Sequence, residues 1–141
     1  MTNFHSIDAT QVTNVTLNVK DLNKSTDFYS NVLGFSIEKQ TNQQTVFNIG
    51  NLGYTLTLNE LNNGRQPEFR EAGLFHVAYL LPTRSDLADF LYHANNLNIA
   101  MGGGDHLVSE ALYFTDPEGN GIEVYHDRPS EDWVWRDGFV K

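Results

Sequence analysis

Apolar and polar residues alternate along residues 12–19, with Val15, Leu17 and Val19 on one side and Asn14, Thr16 and Asn18 on the other. That period of two belongs to a strand with one buried face. The period then lengthens. Leu22, Phe28, Tyr29, Val32 and Leu33 follow helical spacing, Asp21 stands where an N-cap side chain is wanted, and Gly34 stands where the chain leaves the helix. Runs at 35–39, 45–49 and 54–58, split by Asn/Gln-rich and Asn-Leu-Gly turns, predict three short strands. The first unit, about residues 10–60, therefore reads βαβββ.

After a polar connection over 61–72 the order restarts. Residues 75–81 predict a strand, and Thr83 or Ser85 caps a helix carrying Leu87, Phe90, Leu91 and Ala94 on one stripe. Ile99-Ala-Met101 and 111–115 predict two more strands. Asp116-Pro-Glu-Gly-Asn-Gly121 supplies proline and glycine for a tight turn into a last strand, Ile122-Glu-Val-Tyr125. A shift of 62 lays Asn14-Val15 on His76-Val77 and Phe28 on Phe90, the mark of an internal duplication. The expected fold is α+β: one domain over 1–141, its second unit about 73–127, its eight strands a curved sheet around a cleft with helices outside.

Two residues conflict with that pattern. Glu123 is a carboxylate in an otherwise apolar strand, and His76 is a lone imidazole in another. A buried charge needs a partner, and a metal ion is one answer. One His and one Glu projecting from two strands are two-thirds of a facial triad; a buried His-Glu hydrogen-bonded pair is the other reading. The chain has no cysteine, so any metal would sit on N and O ligands. A net charge of −9 excludes a nucleic-acid backbone as the expected partner and leaves small molecules or proteins. No run approaches a membrane span and the N-terminus lacks the look of a signal peptide, so a soluble, cytoplasmic protein is expected. Glycines 102–104 adjoin no Lys-Ser/Thr pair and are not read as a phosphate loop. His93 and His126 are expected at the surface, and His106 in a loop where it hydrogen-bonds locally.

The paired units, with Asn14-Val-Thr-Leu-Asn-Val-Lys-Asp-Leu22, Phe28-Tyr-Ser-Asn-Val-Leu-Gly-Phe35, Phe75-His-Val77 and Asp116-Pro-Glu-Gly-Asn-Gly-Ile-Glu-Val124, resemble the vicinal oxygen chelate superfamily. It includes glyoxalase I, fosfomycin-resistance and bleomycin-binding proteins and extradiol catechol dioxygenases. Gly104-Asp-His-Leu-Val-Ser-Glu-Ala-Leu-Tyr113 and Tyr125-His-Asp-Arg-Pro129 look most like the N-terminal half of bacterial catechol 2,3-dioxygenases.

The resemblance implies a divalent metal, Fe(II) or Mn(II) with Zn(II) as a further option, on His76 and Glu123. Asn14 stands at the remaining ligand position and Thr57 at a fourth used by glyoxalases. Tyr113, ten residues before Glu123, matches a tyrosine beside the bound diol in the dioxygenases, and His106 falls near a histidine found there. Tyr113 and His106 are thus the catalytic candidates, and Asn14, Thr57 and Tyr125 the substrate-binding ones. The acid/base histidine that those enzymes carry shortly before the second ligand is missing, since no His lies between His5 and His76. The implied function is a metal-dependent enzyme acting on a small substrate with adjacent oxygens. A non-enzymatic small-molecule binder, or the non-catalytic N-terminal half of a longer ring-cleaving dioxygenase, is the alternative. Two-unit members commonly complete their clefts by pairing chains, which implies a homodimer. The tail over 128–141, with Trp133, Trp135 and Phe139, is expected to bury its aromatics at a contact.

Overall fold

The computed structural model describes residues 9–65, 68 and 71–140 and forms two compact units, Met1–Ala72 and Gly73–Lys141. In the first, β1 (Asn14–Val19), α1 (Leu22–Asn31), β2 (Ser36–Gln40), β3 (Gln44–Ile49) and β4 (Tyr54–Glu60) follow the βαβββ order. The sheet runs β1-β4-β3-β2, with β1 parallel to β4 and the other pairs antiparallel. Leu17, Val19, Phe47, Leu56 and Leu58 are buried under α1, whose Leu22 and Tyr29 face them. Asp21 caps α1 by accepting from the Lys24 amide at 2.9 Å. At the other end Gly34, at φ +70°, returns the chain so that the Phe35 amide reaches the Tyr29 carbonyl. Two buried polar residues break the apolar stripe, Ser25 and Thr26, and the Thr26 hydroxyl pairs with that of Thr45 on β3 at 2.9 Å.

The second unit repeats the order with β5 (His76–Leu80), α2 (Arg84–Asn96), β6 (Gly102–Asp105), β7 (Ser109–Thr115) and β8 (Gly121–Asp127), in the sheet β5-β8-β7-β6. β1 and β5, like α1 and α2, begin 62 residues apart, as the duplication requires. Thr83 forms a capping box with Asp86 at the start of α2. Leu87, Ala94, Phe114, Ile122 and Val124 are buried, and the Phe90 and Phe114 rings stack at 5.8 Å.

The βαβββ reading holds, and its eight strands lie in two mixed four-stranded sheets, one per unit. One strand is misplaced by the sequence. Ile99-Ala-Met101 is the exit from α2: Asn98 takes φ +57° and the Ile99 amide bonds to the Ala94 carbonyl. The strand is the glycine run beyond it, held extended by its antiparallel ladder to β7. The tail also has a short hairpin, β9 (Trp135–Arg136) with β10 (Phe139–Val140), turned by Asp137 and Gly138 at positive φ. Asp-Gly is the residue pair that such a turn favours.

Candidate functional site

The turn before β8 fixes where Glu123 falls. Asp116 is buried, and its Oδ1 accepts the amides of Glu118 and Asn120, both at 2.9 Å, while its Oδ2 accepts the Asn120 side-chain amide at 2.9 Å. Two residues into β8, Glu123 stands opposite Tyr113 on β7 and Ala78 on β5. His76, two residues before Ala78, shares that face by alternation. Its Nε2 lies 2.9 Å from Glu123 Oε2. The Tyr113 hydroxyl donates to Glu123 Oε1 at 3.0 Å, and His106 Nε2 is 2.9 Å from the same hydroxyl. Each oxygen of Glu123, whose side chain is only 14% exposed, thus has its own polar neighbour.

The protons in this chain can be counted. Tyr113 has one hydrogen and gives it to Glu123, so the phenol oxygen accepts from His106, which must carry its proton on Nε2. Burial, then the hydrogen bond and charge of Glu123, raise the Tyr113 phenol above its usual range and keep it a neutral donor.

Beside these groups is a hollow of about 360 Å³ lined by Phe75, His76, Tyr113, Phe114, Gly121 and Ile122. Gly121 is dictated by backbone crowding, because a Cβ there would lie 2.2 Å from the Phe75 carbonyl oxygen and 3.0 Å from His76 Cβ. On the helix-facing side a second hollow, about 410 Å³, opens between α2 and β6–β7 at the Arg84–Glu110 ion pair.

The donor set bears on a metal directly. An imidazole nitrogen and a carboxylate oxygen 2.9 Å apart on one sheet face suit two adjacent ligand positions around one divalent ion. Among the described residues no group of three or more His, Cys, Asp and Glu gathers to complete a site. The residues fit a metal as two ligands, with the rest of its sphere left to water or substrate oxygen.

The other sequence candidates fall as follows. Asn14 lies at the start of β1 in the first unit, its amide donating to Thr55 Oγ1 at 2.6 Å and its oxygen accepting from Thr13 at 2.9 Å. Thr57 is half-buried on β4 opposite Thr16 and Val46. Tyr125 is half-buried on β8 opposite Leu80 and Ala111, its phenol pushed up by burial and then by the charges of Asp127 and Glu123. His93 is exposed as expected, whereas His126 is half-buried: its Nδ1 reaches the Leu81 carbonyl at 3.2 Å, a partner only the fold supplies. His5 lies outside the described residues. The sequence missed the roles of Asp116 and Gly121, although an Asp opening a Pro-Glu-Gly-Asn turn was a signal for the first.

Two βαβββ units, each with a mixed four-stranded sheet, and a His–Glu pair on a strand face define a protein of the vicinal oxygen chelate class. Residues 11–124 match the model of the Glyoxalase/Bleomycin resistance protein/Dioxygenase superfamily, and the chain belongs to that superfamily. It is 41% identical over 134 residues to a catechol-2,3-dioxygenase of Bacillus subtilis, covering 94% of this chain and 46% of that protein. The chain thus spans about half the length of that curated relative, in keeping with its resemblance to one half of such an enzyme. It is 30% identical to the metallothiol transferase FosB of Staphylococcus saprophyticus over 81% of this chain and 75% of the relative. Among solved structures, a glyoxalase/dioxygenase from Nostoc punctiforme superposes with a TM-score of 0.70 at 21% identity, covering 90% of this chain and 94% of the other.

Proposed function

We propose that this chain is a metal-dependent enzyme of the glyoxalase and extradiol dioxygenase type, acting on a small substrate that presents two adjacent oxygens, as a catechol does. The observation that carries it is the convergence of His76 and Tyr113 on the two oxygens of Glu123, beside an open hollow. A divalent ion on His76 and Glu123, Fe(II) or Mn(II) with Zn(II) as a further option, would act as a Lewis acid toward the paired oxygens. To serve as a ligand His76 would present an unprotonated Nε2. Tyr113 holds Glu123 in one orientation and presents its phenol oxygen to the hollow, and His106 holds the phenol from the solvent side. Asn14, Thr57 and Tyr125 are proposed as substrate contacts on the strength of the family resemblance.

Calorimetric titration of metal-free protein with Mn(II) tests the reading, followed by oxygen uptake in the presence of catechol. Wild type should bind one equivalent at micromolar or weaker affinity, and Glu123→Gln should lose at least about ten-fold, since one of two protein ligands loses its charge. Equal uptake by the two proteins would remove His76 and Glu123 from the assignment.

The 46% coverage of the dioxygenase supports a second reading, in which these two units are one half of a longer ring-cleaving enzyme. The 75% coverage of FosB supports a protein of two units, for which a homodimer is proposed. Metal uptake without oxygen consumption on any diol would favour a small-molecule binder or a non-catalytic half over an enzyme in its own right.

A further inference from the structure

We infer that Gly104 is a positioning residue, whose missing side chain lets the His106 ring lie back over β6 and hold the Tyr113 hydroxyl. Gly104 is paired with Ala111 in the ladder, and His106 stands two residues on, just past the strand, with its amide bonded to the Ser109 carbonyl at 2.8 Å. The imidazole comes to rest over position 104. A Cβ at Gly104 would lie 2.8 Å from His106 Nε2 and 3.0 Å from Tyr113 Cε2. The first contact is with the atom that donates to Tyr113, so an alanine would displace the hydrogen-bonding nitrogen itself.

The glycine is not required by the backbone. Gly104 is absent from the positive-φ positions, and it sits in a regular antiparallel ladder where alanine is conformationally acceptable. Gly121 differs, because its clash is with a backbone carbonyl that cannot swing away. Gly103 differs in the other direction, since a Cβ there meets nothing within 4 Å. Of the three, only Gly104 is a position where a methyl group would leave the strand intact and disturb the His106–Tyr113 contact. A glycine within a strand weakens it, so retaining one here sacrifices strand stability for the placement of one ring.

The functional consequence rests on the proposed reading, in which Tyr113 faces the substrate. His106 supplies the hydrogen bond that the phenol oxygen accepts, and with it fixes the direction of the phenol proton toward Glu123. A displaced His106 leaves the phenol oxygen to water and lets the hydroxyl rotate.

The test uses wild type, Gly103→Ala, Gly104→Ala, His106→Ala and the double variant Gly104→Ala/His106→Ala, all metal-free. Wild type and Gly103→Ala should show a nuclear Overhauser contact between the His106 and Tyr113 rings. Gly104→Ala should lose it while its Tm stays the same or rises. Binding of catechol, followed by calorimetry after Mn(II) is added back, should weaken by about three- to ten-fold in Gly104→Ala, the size of one hydrogen bond. His106→Ala should weaken it equally, and the double variant no further, because the glycine acts through the histidine. Persistence of the ring contact in Gly104→Ala, or additive losses in the double variant, would overturn the inference. Absence of catechol binding by wild type would count against the substrate reading alone, since the ring contact still decides the role of Gly104.

Discussion

A carboxylate in the third position of β8 is tolerable at Glu123 because the Tyr113 hydroxyl donates to one of its oxygens and the His76 ring stands 2.9 Å from the other. Tyr79, three residues along β5 from His76, faces the other side of the sheet. Its phenol is mostly buried, and burial, followed by the charge of Asp116, pushes its pKa well above 10. The unfolded chain releases that proton from about pH 10 upward while the folded chain keeps it. The folded state therefore has full stability below about pH 10 and loses it progressively as pH rises beyond. Urea unfolding at about pH 8 and about pH 11 should show a smaller alkaline loss for Tyr79→Phe than for wild type, and equal losses would refute the buried phenol. At this scale the sequence was readable where a local pattern and the family resemblance agreed. Strand alternation taken with that resemblance put His76 and Glu123 on one face, and the resemblance put Tyr113 near them. His126 was not readable, because the Leu81 carbonyl it meets is 45 residues away in sequence. Gly104 was hidden for a similar reason, since its meaning depends on where a histidine ring comes to rest.

Between α1 and β3, an otherwise apolar contact contains one pair of hydroxyls, Thr26 and Thr45, 2.9 Å apart and out of water. Removing one hydroxyl strands the other, which costs about 1–3 kcal/mol, whereas removing both leaves two isosteric apolar groups in contact and costs little. Thr26→Val and Thr45→Val should each destabilise by about that amount, and the double variant should be more stable than either single one in equilibrium denaturation. Additive losses would mean that the hydroxyls do not depend on each other. The element reading missed this pair because helical periodicity records apolar positions, and threonine counts as polar in that tally. It missed β6 for a related reason. Three successive glycines have little strand preference of their own, and the ladder to β7 imposes extension on them. The α2 start, by contrast, was legible to within two residues, and of the two caps the sequence offered it is Thr83 that forms a capping box, with Asp86, needing no tertiary partner.

The duplication organises the molecule, and every element of the two units follows from it except what lies after β8. There Trp133 is half-buried and donates its indole N–H to the Arg128 carbonyl at 2.9 Å, while Trp135 packs 6.3 Å from it and stays 53% exposed, next to an exposed Val134. The side chain of Phe139 lies outside those described. A half-exposed tryptophan on a short hairpin leaves apolar area in water that association removes. If this area is where two copies meet, sedimentation of wild type should show a concentration-dependent dimer. Trp135→Ala should then raise the dissociation constant at least about ten-fold while leaving Tm in the dilute monomer nearly unchanged. Trp133→Ala should behave differently: it removes a ring that is tied to its own unit, so Tm should fall with it. A wild type that remains monomeric at high concentration, with tryptophan emission at the wavelength of solvent-exposed indole, would rule out the pairing of copies through this hairpin.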